Sequence, residues 1–191
     1  ADQVSKREKE KKSLRGQLDL GCLYGVLEDQ KKMIECLAEA SSQGLRLTDF
    51  TLYGAPAYWT VILKGSTNDI TRILGKDVNS NQMVLQMAQR EFDNLQDTNG
   101  RTVLSLVIEQ DDVEKYKLLK REGINKIEVY GTRHLFAAAK FGSINIVKYL
   151  VEEARERYRE EGPEKVLEEV VEAVDDNGWT PLMLAAHEGK F

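Results

Sequence analysis

The chain has 191 residues, of which 41% are hydrophobic, and its 27 basic and 32 acidic side chains give a formal net charge of -5. This length and composition indicate a helix-rich chain that buries a core without disulfides or metal, and they exclude collagen-like and disordered chains. No apolar run approaches the roughly 20 residues of a membrane-spanning helix, and no signal-peptide pattern opens the chain.

Residues 1–45 are predicted to form N-terminal capping helices, and a degenerate repeat is the alternative interpretation of the same residues. Within this segment, residues 5–12 are almost wholly polar and charged, which indicates a solvated helix start. The alternative interpretation is a nuclear-targeting or lipid-binding segment, but the acidic residues among the basic ones weaken it. Cys22 and Cys36 lie among the apolar residues of these predicted helices, which indicates that both side chains pack in the core. Free thiols of this kind indicate the cytoplasm or another reducing intracellular compartment. The apolar residues at helical spacing are Leu18, Leu23, Val26 and Leu27, then Met33, Ile34 and Leu37.

Residues 46–96 are predicted to form a degenerate repeat with a helical insertion. After Tyr53 and Gly54, apolar residues follow in helical register, and a second apolar stripe predicts a further helix from Asn81 to Leu95. The first set comprises Val61, Ile62, Ile70, Ile73 and Leu74, and the second comprises Val84, Ala88, Phe92 and Leu95.

Residues 97–127 and 175–191 are predicted to form two further units, which begin with the same motif, Asp-x-Asn-Gly-x-Thr. Asn-Gly favours the positive φ of a tight turn, and the threonine two residues later is placed to cap a helix by accepting a backbone N–H bond. Pro181 fits the first position of a helix, where its missing donor has no cost. A two-turn helix with the small residues Ala185 and Ala186 is then predicted to end at Gly189.

Residues 128–174 are predicted to form another unit, lengthened by a long helical insertion. Arg133 and His134 replace the Thr-Pro start, and His134 is expected to satisfy a local backbone group. An outer helix from Ile144 through Tyr158 keeps one apolar face, and Gly162-Pro163 ends it. A second amphipathic stretch then carries Val166, Leu167, Val170, Val171 and Val174.

The run from Gly178 to Gly189, Gly-x-Thr-Pro-Leu-x-x-Ala-Ala-x-x-Gly, resembles the ankyrin repeat. The resemblance implies an all-α, ankyrin-type helical repeat solenoid. Intervals of 46, 31 and 47 residues separate glycines 54, 100, 131 and 178, so two repeats are lengthened relative to the family period of about 33. A HEAT-like adaptor is the alternative suggested by the two long intervals, but the Asn-Gly turns and the Thr-Pro-Leu start oppose it.

The resemblance implies a protein-protein interaction module that binds a partner protein or peptide on its concave surface. Nucleic acid is not expected, because phosphate binding depends on clustered Lys and Arg. The positions that the family varies for partner contact carry over to Thr98, Asn99, Arg101, Glu109, Gln110, Tyr130, Thr132, Lys140, Phe141, Asn177, Trp179 and His187.

Tyr130, Phe141 and Trp179 share one register, so we expect them to form an apolar strip in the groove. The competing interpretation is that these rings pack against neighbouring turns or the inserted helices. Residues 152–176 hold 11 acidic and four basic side chains, a net charge of -7, and this acidic insertion is an alternative site for a basic partner.

Enzyme motifs for nucleophilic, phosphate-binding or metalloprotease chemistry are not present in the sequence, so we expect no catalytic site, cofactor or metal. The alternative is a targeting or scaffold fragment of a larger enzyme or effector whose catalytic domain lies outside this chain. The last unit lacks an outer helix, and the natural chain is therefore expected to continue beyond Phe191.

Overall fold

The computed structural model describes residues 30–42, 51–52, 55–73, 95–124 and 134–190. The chain divides between Asn99 and Gly100 into two compact units, which are described separately. Several predictions lie outside the described residues: the first N-terminal helix, most of the stripe from Val84 to Leu95, and the turn that holds Tyr130 and Thr132.

The first unit buries the apolar faces of three helices. Helix α1 (Gln30–Ser42) contacts α2 (Ala57–Lys64) and α3 (Thr67–Ile73), which also contact each other. Two short strands, β1 (Thr51–Leu52) and β2 (Ala55–Pro56), pair antiparallel directly before α2. The helix spacing predicted from the sequence is confirmed where the structure describes it, since Met33, Ile34, Leu37, Val61, Ile62 and Ile70 are buried. Tyr58 and Trp59, which the prediction did not include, are buried too.

The turn between α2 and α3 is closed by reciprocal capping. The backbone N–H of Asp69 donates to the hydroxyl of Ser66 at 3.3 Å, and the backbone N–H of Ser66 donates to the Asp69 carboxylate at 2.9 Å. These bonds satisfy two backbone donors at the start of α3. Gly65 precedes the cap, and a Cβ there would lie 2.5 Å from the carbonyl oxygen of Val61, so the turn has no room for a side chain.

The second unit consists of stacked helix pairs. Helices α4 (Val103–Glu109), α6 (His134–Phe141) and α9 (Pro181–His187) form one layer, in which α6 contacts both α4 and α9. Helices α5 (Val113–Arg121) and α7 (Ile144–Arg157) form the other layer and contact each other. Each of these two outer helices also packs against the inner helix that precedes it, which gives the repeated helix-turn-helix unit.

The two predicted turn motifs have the predicted geometry. Gly100 and Gly178 have φ angles of 74° and 77°, a region that glycine enters without a steric penalty. Thr102 and Thr180 then cap α4 and α9 by accepting backbone N–H bonds of 3.3 and 3.2 Å. Pro181 occupies the first turn of α9, so the predicted helix start is confirmed.

Asp111 joins the first helix pair of this unit to the second. It takes the place that Gly142 and Gly189 take after α6 and α9, and it shares their positive φ, at 55°. Its carboxylate accepts bonds from the backbone N–H groups of Asn145 and Ile146 at 3.1 and 2.9 Å. Asp111 therefore caps α7, the outer helix of the next repeat, and its negative charge lies at the positive end of that helix.

Ser143 precedes α7 but does not cap it with its side chain. Its hydroxyl instead donates to the carbonyl oxygen of Ile108 at 2.5 Å, at the end of α4. The two repeats therefore exchange bonds: the first caps the second through Asp111, and the second donates to a carbonyl oxygen of the first through Ser143.

The insertion after α7 is helical, and part of its apolar surface is exposed. Helix α8 (Pro163–Val166) continues into a π-helical turn, Leu167–Val171. Val166 is buried, whereas Leu167, Val171 and Val174 are exposed. The amphipathic stretch predicted from Val166 to Val174 is therefore only partly packed against the rest of the unit.

The repeats provide a matched pair of leucines for a stability test. Leu104 in α4 and Leu182 in α9 occupy equivalent positions, but Leu104 is 0% exposed and Leu182 is 75% exposed. We expect Leu104→Ala to lower the free energy of unfolding by about 2 to 5 kcal/mol, through lost burial and a cavity. Leu182→Ala should lower it by less than about 0.5 kcal/mol. Urea denaturation followed by circular dichroism measures both, and equal losses would contradict the observed packing.

The bonds of Asp111 also make a testable contribution to stability. Asp111→Ala loses the cap of α7 and keeps the unfavourable positive φ, so it should cost about 2 kcal/mol of unfolding free energy. Asp111→Gly loses the cap but relieves the backbone, and about 1 kcal/mol is expected. Asp111→Asn, which retains an acceptor and tolerates this φ, is the control and should lose least. A glycine variant as stable as the wild type would show that the cap contributes nothing.

Candidate interaction surface and adjoining cavity

Two repeats place the residue after the turn glycine against the last turn of the inner helix. In the first, the guanidinium of Arg101 lies 3.5 Å from the carboxylate of Glu109. In the last, the ring of Trp179 meets that of His187 edge to face, with centroids 4.9 Å apart. Arg101 and Glu109 are equivalent in the repeat to Trp179 and His187, so different chemistry produces the same contact at the same place.

The predicted partner-contact residues are mostly accessible to solvent. Those that are exposed are Thr98, Asn99, Glu109, Gln110, Asn177 and His187, and those that are half-buried are Arg101, Lys140, Phe141 and Trp179. Tyr130 and Thr132 lie outside the described residues. The structure thus brings together Arg101 with Glu109 and Trp179 with His187, and it shows no ring contact between Phe141 and Trp179 in the part of the chain that it describes.

Asp175 holds the backbone that presents Trp179. Its carboxylate accepts the backbone N–H groups of Asn177 and Trp179, each at 2.9 Å. In the earlier turn, the carboxylate of Asp97 accepts the N–H of Asn99 at 2.8 Å. An aspartate at this position orders the turn locally, so the contact residues are carried by fixed backbone.

His134 begins α6, as its position in the sequence suggested, but its ring contacts a residue of the preceding repeat. Its Nδ1 lies 2.5 Å from the hydroxyl of Tyr116, and the two rings meet edge to face with centroids 5.6 Å apart. Tyr116 also meets the ring of Tyr149 edge to face. This cluster was not predicted from the sequence, because no local pattern links residues that are 18 positions apart.

Tyr116 and His134 lie in the wall of a cavity of about 330 Å³, which is lined by α5, α6, α7 and the insertion. Lys120 and Glu153 also line this cavity, and the ammonium of Lys120 lies 2.6 and 2.7 Å from the two carboxylate oxygens of Glu153. These polar groups are therefore already paired with one another. Within the described ranges, no three His, Cys, Asp or Glu side chains are close enough to hold a metal ion.

The stacked helix pairs, their repeated turns and the side chains held at the turn edges define a helical-repeat protein with an accessible inner surface. A family model of ankyrin repeats (3 copies) matches residues 64–161, about half of the chain, and the chain belongs to the ankyrin repeat family. The HEAT-like alternative is thereby set aside. A search of curated proteins found no match to the chain.

Ankyrin repeats are in general modules of protein-protein interaction, and the fold is typically not catalytic. None of the helices in the described ranges is both long enough and apolar enough to cross a membrane.

From the environment of Tyr116 we expect the free energy of unfolding to fall at alkaline pH. Burial, and then the charge of Glu153, raise the pKa of this tyrosine well above its ordinary value of about 10. Above pH 10 the unfolded chain loses this proton while the folded chain keeps it, so the free energy of unfolding falls as the pH rises.

From pH 8 to pH 10.5 this linkage contributes a loss of about 0.8 kcal/mol, which Tyr116→Phe should abolish. Denaturation curves of both proteins at the two pH values measure the difference. The comparison of losses, rather than of stabilities, separates the titration from the hydrogen bond to His134 that the variant also removes. A variant with the full wild-type loss would contradict the assignment.

Proposed function

We propose that the chain binds a partner protein through the inner face of its second unit. The inner face is defined as Arg101, Glu109, Gln110, Lys140, Phe141, Asn177, Trp179 and His187, and Tyr130 and Thr132 are proposed to extend it. The proposal rests above all on one observation: Arg101–Glu109 and Trp179–His187 occupy equivalent positions of two repeats and are accessible there. A surface that recurs with the repeat while its chemistry changes is suited to selecting one partner.

Trp179 and Arg101 are of the residue types that most often anchor protein interfaces. Each is already restrained by a neighbour, since His187 lies against the indole and Glu109 against the guanidinium. A restrained anchor loses less rotamer freedom on binding. The side chains of Arg101 and Glu109 are 38% and 45% exposed, and an ion pair this accessible contributes little to stability. The guanidinium is therefore proposed to exchange the Glu109 carboxylate for one on a partner.

The charge of the inner face supports a protein partner over nucleic acid. Arg101 and Lys140 are its two formal cations, and the carboxylate of Glu109 lies beside Arg101. Nucleic-acid surfaces instead gather Lys and Arg without neighbouring acids, because their affinity comes from phosphate contacts. The partner is therefore proposed to present a mixed surface of carboxylate and apolar groups.

A reducing intracellular compartment, such as the cytoplasm, is proposed for this binding. Cys36 in α1 is a free, half-buried cysteine. Burial, and then the neighbouring Glu35, raise the pKa of its thiol, which disfavours the reactive thiolate. This environment supports a packing role for Cys36 rather than a redox role.

The inner-face proposal is tested by quantitative affinity capture from cell extract with three forms of the chain. We expect Arg101→Ala/Trp179→Ala to reduce capture of at least one protein by more than tenfold, because it removes both anchors. The control is Arg159→Ala/Leu182→Ala, which removes one exposed cation and one exposed apolar side chain from outside the inner face.

Both variants should keep the wild-type helical circular dichroism spectrum. The captured protein is then purified and titrated against all three forms by calorimetry. Equal affinity of the wild type and the inner-face variant would contradict the proposal, as would equal losses in the inner-face and control variants.

A further inference from the structure

The insertion presents apolar side chains that the fold leaves uncovered. Leu167, Val171 and Val174 are 49%, 38% and 60% exposed. Their neighbours Val166 and Val170 point inward, since Val166 is buried and Val170 lines the cavity. The same short segment therefore has apolar side chains that pack and three others, here called the outer strip (Leu167, Val171 and Val174), that are exposed to solvent.

Two residues of the outer strip, Leu167 and Val171, lie on the π-helical turn of the insertion. The N–H of Glu172 donates to the carbonyl oxygen of Leu167 at 2.8 Å, a bond that spans five residues and widens the turn. Turns of this kind occur often at functional sites. The segment belongs to the interval of 47 residues between Gly131 and Gly178, so the outer strip lies on chain that is added to the standard repeat length.

Glutamates lie before and between the residues of the outer strip in the sequence. Residues 159–174 contain six glutamates and two basic residues, a net charge of -4. Lys165 pairs with Glu168 and Glu169, at 3.5 and 2.9 Å. Four other glutamates have no cationic group within 4 Å among the residues that the structure describes, and these are Glu160, Glu161, Glu164 and Glu172.

We propose that the outer strip and its glutamates form a docking surface for a basic amphipathic helix of another protein, with its apolar side on Leu167, Val171 and Val174. Exposed apolar side chains favour contact with an apolar partner face, and the surrounding carboxylates select Lys and Arg at its edges. The same charges repel anionic lipid and nucleic acid. This surface uses residues different from those of the inner face, so the two proposals stand or fall separately.

A second exposed apolar patch provides the internal control. Leu182 and Met183 on α9 are 75% and 55% exposed, as much as the outer strip or more. Helix α9, Pro181–His187, contains no acidic residue. A partner drawn by apolar surface alone would bind both patches, whereas a basic partner should bind the outer strip.

The test uses the full chain and a fluorescein-labelled amphipathic peptide of about 15 residues, built from Leu and Lys at helical spacing. A second peptide has Glu in place of every Lys. Fluorescence anisotropy measures the affinity of both peptides for the wild type and for three variants: Leu167→Ser/Val171→Ser, Glu164→Gln/Glu172→Gln and Leu182→Ser/Met183→Ser. All the replaced side chains are exposed, so each variant is expected to keep the wild-type fold.

The lysine peptide is expected to bind the wild type, and both outer-strip variants should weaken it at least fivefold. The α9 variant should bind as the wild type does, and the glutamate peptide should not bind. Raising the salt concentration from about 50 to about 300 mM should weaken the complex, because exposed charges are screened.

Three results would overturn the proposal. The first is lysine-peptide binding that the outer-strip variants leave unchanged. The second is an α9 variant that loses as much affinity as they do. The third is a wild-type dimer in analytical ultracentrifugation that Leu167→Ser/Val171→Ser dissociates, since this would assign the outer strip to a second copy of the chain.

Discussion

The second unit depends on the exchange of hydrogen bonds between Asp111 and the start of α7. A helix start leaves backbone N–H groups without partners, and here a carboxylate from the preceding repeat satisfies two of them. Ser143 returns a bond to Ile108 at the end of α4. Because each repeat completes the other, α7 is fixed relative to α4, and the inner and outer layers keep one register.

That register determines how the inner face forms. Once the helix pairs stack at fixed spacing, the turn glycines Gly100 and Gly178 place the next residue at equivalent positions of their repeats. Arg101 and Trp179 occupy such positions, and each meets the last turn of its own helix. The fold thus specifies where the side chains stand, and the individual residues decide what they can bind.

Local signals made the turns predictable, whereas long-range contacts had no signal in the sequence. Gly100, Gly178 and their capping threonines act over a few residues, and the sequence predicted their φ angles and bonds. Asp111 was missed because a non-glycine residue at positive φ is uncommon, and only its contacts in the next repeat account for it. The partnership of Tyr116 with His134 likewise depends on stacking. For the inner face, the sequence predicted candidate positions but not which side chains touch.

The insertion shows where periodicity stops being informative. A helical pattern states that apolar residues share a side, but it does not state how wide a surface the rest of the molecule can cover. Five apolar residues between Val166 and Val174 exceed what the adjoining helices bury, and the surplus, Leu167, Val171 and Val174, is exposed. Glutamates around that surplus keep it from contacting anionic surfaces while leaving it open to a basic one. The added segment therefore brings an apolar surface with its own charge selectivity to a repeat whose inner face has mixed charge.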